Sequence, residues 1–452
     1  MATSSSRWLI GCVVLCATLT LVVAAAPIER STPSPSASRV SGYGVATILD
    51  GSAPSAEAGD PEQRTELVRE LLQRRARALL ERDRDAFLAT VDPSAAELRA
   101  RQAAFFDALA EVPLGTWRYR LDPSYQTALP PGVAASYGGP VWAPRVDLQF
   151  ALAGFDAVPT VQEREYVFVK HDGHWYLADD GLGPRTDQLG EGTVRNLWDF
   201  GPVRVLRGHS VLVLGHPGSE ARMRTVLQVA EAAIPDIAQV WRDWERRAVI
   251  LVPKTESELS QLVEEPGDLS GIAAFTSSDL SRGGAPAGKR IVINPTAFGA
   301  LTPSGQRIVL RHELTHVATR EATTVGTPPW LAEGFADYVA YRHSGIPPHR
   351  AARELARDVR SGRIPDQLPD AADFRAGSPR LAQAYQESWL ACRMIVERAG
   401  EAALVRLYQR LSRANGDPWA TFDVALRDEL GLTATEFVAE WQDYLREHLD
   451  EG

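Results

Sequence analysis

The run His312, Glu313, Leu314, Thr315, His316 constrains this chain more than any other feature, because its chemistry works only on a helix. Residues four apart lie on one helical face, so the two imidazoles can approach one metal ion together. Glu313, about 100° further round the axis, stays within reach of a water held there. The pattern predicts a helix from Pro303 to about Arg320, capped by Thr302 with Pro303 in its first turn. Three fixed positions also match by chance in some chains, so a third ligand has to decide.

The segment from Thr327 to Tyr338 supplies one. Thr327 is expected to cap a helix whose first turn holds Pro328 and Pro329, and Glu333 and Asp337 then fall one turn apart on one face. Alone, two acids on an amphipathic helix are ordinary solvated residues. Directly after the histidine pair they read differently. Catalytic zinc takes three protein ligands and leaves a fourth position open, so His312, His316 and Glu333 make a His2Glu set. Asp337 is placed to accept the second N–H of a ligand histidine. The small residues Ala332, Gly334 and Ala336 are expected to let this helix pack tightly on the first.

At these residues the chain resembles the gluzincin zinc metallopeptidases, and more narrowly the bacterial peptidase MA-like domains. HELTH and PPWLAEGFADYVA carry the likeness, which extends over residues 201–452. The resemblance implies a zinc peptidase in which His312, His316 and Glu333 hold the metal, Glu313 is general base and then acid toward zinc-activated water, and Asp337 is the acidic residue one turn beyond the Glu ligand. The gap between His316 and Glu333 is shorter than in the aminopeptidase and thermolysin branches, and no GxMEN motif is present, which points to an endopeptidase. Gluzincins often present a Tyr or His from a later helix to the oxyanion; Tyr385 is the candidate, with a core tyrosine as the competing reading. The resemblance also implies an edge strand that binds extended substrate by β-augmentation, here either Gly271–Thr276 or Arg290–Asn294. Two other functions stay open at this point: a catalytically inert scaffold, and a zinc hydrolase acting on a non-peptide bond.

The formal net charge of −10 argues against nucleic acid as a partner and leaves a peptide or protein substrate as the expectation. Lys170, Lys254 and Lys289 are the only lysines, which with the alanine richness suggests a GC-rich bacterial source. From Trp8 to Ala26 the chain is uninterruptedly apolar or small, after Arg7. That segment (1–26) is an export signal or a membrane anchor, and Pro27 after the small residues Ala24, Ala25 and Ala26 tilts the balance to an uncleaved anchor. Either way Arg7 stays inside and the bulk of the chain is exported. Cys12 and Cys16 lie in this segment, so Cys392 has no intrachain disulfide partner in the exported part and reads as a buried small hydrophobe.

Residues 27–60 read as a Ser/Pro-rich disordered linker. Residues 61–185 follow, with helices near Glu62 to Arg82 and Ala95 to Leu109, then alternating strands and a hairpin turning at His171, Asp172, Gly173 and His174. This order resembles the NTF2-like, cystatin-like α+β fold, by pattern alone. No acid/base pair marks a pocket there, and His171 and His174 read as solvated turn residues. In the second domain, Val203 to Leu214 is expected as a strand, Glu220 to Trp241 as a helix, Ala248 to Val252 as a buried strand, and Ser277 to Lys289 as a mobile loop near the cleft. The expected fold class is thus α+β: an NTF2-like domain, then a gluzincin-type domain with a small mixed sheet and a mainly helical C-terminal half.

Overall fold

The computed structural model describes residues 60–182, 195–262, 272–280, 286–375, 377–414 and 418–450. The apolar N-terminal segment and the Ser/Pro-rich stretch lie outside these residues. Among the described residues, no helix is long and apolar enough to cross a membrane.

The first unit opens with α1 (Pro61–Leu80), α2 (Arg84–Leu88) and α3 (Ala96–Ala108). Asp60 caps α1 and Asp83 caps α2 through their carboxylates, each accepting a backbone N–H of the first turn. Then come β1 (Leu114–Gln126), α4 (Pro131–Ala135), β2 (Val141–Trp142), β3 (Pro144–Leu152), β4 (Thr160–Arg164), β5 (Val167–His171) and β6 (His174–Asp179). The strands form two three-stranded antiparallel sheets, β1-β3-β4 and β2-β5-β6. The expected hairpin is present: β5 and β6 join through Asp172 (φ 48°) and Gly173 (φ 81°), the positive pair a two-residue type I′ turn needs. His174 is exposed, and His171 lies 3.4 Å from Asp92.

The second unit is a five-stranded mixed sheet followed by helices. Its elements are β7 (Arg204–Arg207), β8 (Val211–Gly215), α5 (Glu220–Val240), β9 (Ala248–Val252), α6 (Glu256–Leu262), β10 (Ala274–Leu280) and β11 (Pro286–Ile293). Then follow α7 (Ala297–Ala300), α8 (Pro303–Thr319), α9 (Pro329–Tyr341), α10 (Pro348–Ala351), α11 (Arg353–Arg360), α12 (Leu381–Ala399), α13 (Glu401–Ser412), α14 (Pro418–Leu430) and α15 (Ala434–Leu449). The strand order is β10-β11-β9-β8-β7; β8, β9 and β11 are parallel, and the two edge strands run antiparallel to their neighbours. The molecule is therefore mixed helix and sheet, as the α+β expectation has it.

Three local expectations are corrected. Val203 to Leu214 is not one strand but the hairpin β7 and β8, because Glu231 of α5 accepts from the N–H groups of Ser210 and Val211 and fixes a turn there. Ser277–Leu280 and Pro286–Lys289 belong to paired strands, not to a loop. Thr327 does not cap α9: Pro328 occupies that position, and the Thr327 hydroxyl instead bonds the Thr324 N–H and the Ser412 hydroxyl.

Strand alternation gives the five-stranded sheet two buried faces. Val211, Val213, Ile250, Val252, Ile291 and Ile293 join the core with α5, α8 and the C-terminal helices. Leu212, Leu214, Val249, Val292 and Phe275 face the other way, into a cluster with Trp117, Phe150, Phe106 and Trp198. The first unit thus shares the covering of this sheet face with Leu259, Leu262, Leu381 and Tyr385 of the second unit.

Candidate metal centre

Helix α8 starts as expected, with the Thr302 hydroxyl accepting from the Gly305 N–H at 3.2 Å. From Leu310 to Ala318 its residues are buried apart from Arg311, so the histidine-bearing stretch lies inside the molecule, between β10 and α9. His312 and Glu313 are fully buried, and His316, Glu333 and Asp337 are at most 7% exposed.

The three expected ligands converge. Among the described residues, His312, His316 and Glu333 form the one His/Cys/Asp/Glu group whose donor atoms all come within 4.8 Å of one another. Glu333 Oε2 stands 3.3 Å from both Nε2 of His312 and Nε2 of His316, and those nitrogens face each other at 2.8 Å. Two ligands bonded to a tetrahedral zinc at about 2.0–2.1 Å stand roughly 3.3–3.4 Å apart, so two edges of this triangle match that geometry directly. Glu333 Oε2 is buried with no hydrogen-bond partner, an orphaned acceptor of the kind a shared cation satisfies. The donor set fits zinc.

Around the triangle, Asp337 Oδ1 accepts from His312 Nδ1 at 2.7 Å. That contact fixes the tautomer that turns Nε2 inward. Burial works against a charged His312, yet Asp337 and Glu333 outweigh it and push its pKa up to about 10. Burial raises the pKa of Glu333 too, but the two histidines override it and hold the carboxylate well below its usual range.

Glu313 points to the sheet side. Its Oε2 accepts from the Thr276 hydroxyl of β10 at 2.5 Å, while Oε1 is buried without a partner. Burial pushes this carboxyl up, against the pull of His312, His316 and Thr276. Tyr385 on α12 is buried, its ring 6.2 Å from that of His312 and 5.4 Å from Phe374. The candidate oxyanion donor therefore packs beside the triangle. Gly334 corrects the packing expectation. One residue after Glu333, it is turned about 100° away from α8 and meets α12, where an added Cβ would strike the Ser388 carbonyl. Cys392, beneath it, is buried, and burial raises its thiol pKa, as expected of a small core residue.

Thr276, Asp156 and Arg290 are the residues sequence reasoning missed. Nothing in their local pattern marks them; only the register of β10 on β11, and the fold that sets both against α8, brings them forward.

No family model matches this chain, and no curated protein does. Solved structures of M1 zinc metallopeptidases do. A mutant of the Deinococcus radiodurans enzyme matches with TM-score 0.30 and 14% identity over 61% of this chain and 58% of that one. The M1 zinc metallopeptidase from Deinococcus radiodurans itself matches with TM-score 0.27 and 14% identity, over 55% and 52%. A mutant two-domain M1 zinc metallopeptidase bound to L-arginine gives TM-score 0.28 and 14% identity, over 62% and 58%. This chain spans between half and three-fifths of the length of those proteins, and at such scores the likeness adds no weight to any residue's role.

Proposed function

We propose that this chain is an exported zinc-dependent metallopeptidase of the gluzincin type, cleaving peptide bonds within a chain. The observation that carries the proposal is the buried triangle of His312, His316 and Glu333, with Asp337 behind one imidazole and Glu313 beside it. When bound, zinc supplies Lewis acidity toward water and toward the scissile carbonyl.

The chain's own residues do the rest. His312, His316 and Glu333 hold the metal, and Asp337 keeps the His312 proton on Nδ1. Glu313 takes a proton from the attacking water through its free Oε1 and delivers it to the leaving nitrogen as the C–N bond breaks. Tyr385, packed beside His312, donates to the oxygen on which charge develops. Extended substrate lies along β10, whose outer side has no neighbouring strand among the described residues. The first unit is NTF2-like in this proposal, and the N-terminal apolar segment directs the chain out of the cytoplasm.

Metal content of the purified protein, together with cleavage of a peptide library by wild type and Glu313→Gln, tests this. Bound zinc with cleavage reduced by about 10²-fold or more in the variant is the expected result. Zinc with undiminished cleavage in Glu313→Gln would sink the assignment of the base. Zinc with hydrolysis only of non-peptide bonds would move the chain to another hydrolase class, and no zinc at all would leave a scaffold.

A further inference from the structure

The geometry points to Thr276 as the positioning residue of the general base, and to the buried Asp156–Arg290 ion pair as the device by which the first unit sets its place. This rests on the assignment of Glu313 as base.

Thr276 lies on the edge strand β10, so among the described strands its position depends on β11 alone. Its hydroxyl donates to Glu313 Oε2 at 2.5 Å and lies 3.3 Å from the Glu313 carbonyl oxygen. One carboxylate oxygen is thereby tied down while Oε1 has no partner, which is the division a proton carrier needs: one atom held, one free to exchange a proton. A carboxylate can swing about its last two torsions, and a bond to a strand fixes it in a way that its own helix does not.

Behind β10, register pairing places Ile291 opposite Thr276 and Arg290 opposite Ser277. Because side chains alternate, Arg290 projects to the face opposite Ile291, toward the first unit. There Asp156 meets its guanidinium bidentately, Nη1 to Oδ1 and Nη2 to Oδ2, both at 2.7 Å. Both side chains are at most 10% exposed. Asp156 is itself anchored, accepting from the Leu152 N–H at the end of β3. Next to it Gly288 (φ 67°) approaches so closely that an added Cβ would fall on the Thr160 side chain of β4. Phe275 and Val292, flanking Thr276 and Arg290 in sequence or register, share the apolar cluster with Trp117 and Phe150. A desolvated bidentate pair has one geometry, so it transmits position more strictly than apolar contact does. Thr276 bonds Glu313 and none of the three proposed ligands, so zinc content and base positioning can be read separately in its variants.

The test compares Thr276→Val, Thr276→Ser and Asp156→Asn with wild type, in the full zinc-loaded chain, on the best-cleaved member of the peptide library. Thr276→Val should keep its zinc and its KM within about twofold while kcat falls by roughly 30-fold, the cost of a misplaced catalytic group. Thr276→Ser should recover kcat to within about threefold. Asp156→Asn should lower kcat in the same way and speed amide exchange in β10, and the reciprocal swap Asp156→Arg with Arg290→Asp should reverse part of both effects. Independently of turnover, thermal shifts for Thr276→Val and Glu313→Gln should be non-additive in the double variant, as expected for directly bonded groups.

Additive thermal shifts, or a Thr276→Val enzyme with unchanged kcat, would overturn the proposal even if Glu313→Gln is dead. A raised KM with intact kcat would also overturn it, making Thr276 a substrate contact. If Glu313→Gln keeps full activity, the base assignment itself has failed, and this inference with it.

Discussion

Glu387, two residues beyond Tyr385 on α12, is a carboxyl whose counter-ion stands half in water. Its side chain is 2% exposed, and both of its oxygens lie 3.1 Å from Arg380, whose own side chain is 50% exposed and is shared with Asp373. Burial pushes the Glu387 pKa up to about 8, more than Arg380 pulls it down, and Asp373 adds to the rise. A carboxyl raised on folding stabilises the fold fully below the unfolded pKa and loses that contribution as pH climbs through the folded value. Between pH about 4.5 and about 8, therefore, this group should make stability fall as pH rises, by on the order of 5 kcal/mol across the window. Glu387→Gln should flatten that slope in urea titrations at several pH values; an unchanged slope would show that the group is ionised in the fold. The contrast with the metal-site carboxylates explains what the sequence reveals. Glu333 and Asp337 were legible because one helix relates them to each other and a second helix supplies the histidines at fixed spacing. Thr276 and Glu387 owe their roles to partners on other elements, which no local pattern announces.

Among the elements, α8 is the one on which sequence and structure most nearly coincide, in both its bounds and its Thr302 cap, and Gly334 on α9 shows where they part. A small residue was expected there for close packing. The packing is real but faces α12: a Cβ at position 334 would lie 2.9 Å from Cys392 Sγ and closer still to the Ser388 backbone carbonyl, which cannot swing aside as a side chain can. Gly334→Ala should thus cost about 1–3 kcal/mol through overpacking, despite removing a helix-interior glycine that would ordinarily favour alanine. Because the glycine adjoins Glu333, the same change should weaken zinc retention. Thermal unfolding with and without a chelator measures both, and a Gly334→Ala chain more stable than wild type would show that α12 yields freely. Element boundaries failed for the same reason as partner choice. The β7–β8 turn is set by Glu231, some twenty residues on, and the β10–β11 pairing turns an expected loop into strand.

At the scale of the whole molecule, the sequence reading separates residues 61–185 from 201–452 by pattern, and nothing in that pattern says how the two stretches depend on each other. The pattern of β8, β9 and β11 reads as apolar on both sides, which demands two covers without saying what supplies the second. Structure answers that: Trp117, Phe150 and Phe106 of the first unit pack with Leu212, Leu214, Val249, Val292 and Phe275, alongside Leu259, Leu262, Leu381 and Tyr385 of the second. Uncovering one such side chain costs about 1.5–3 kcal/mol. Leu259, Leu262, Leu381 and Tyr385 of the second unit keep part of that cover, so losing the first unit costs a fraction of this at each of the five, several kcal/mol in all and a large part of the stability of an ordinary domain. A shortened chain beginning at Pro202 should accordingly fail as an independent fold. It carries every proposed ligand of the metal site, yet it should elute as aggregates in size-exclusion chromatography with light scattering and bind zinc substoichiometrically, since the exposed sheet face would find other copies of itself. A monomeric shortened chain with full zinc content and the melting point of the intact protein would refute this, and would make the first unit an accessory. Aggregation relieved by adding the first unit as a separate chain would locate the dependence in that one interface.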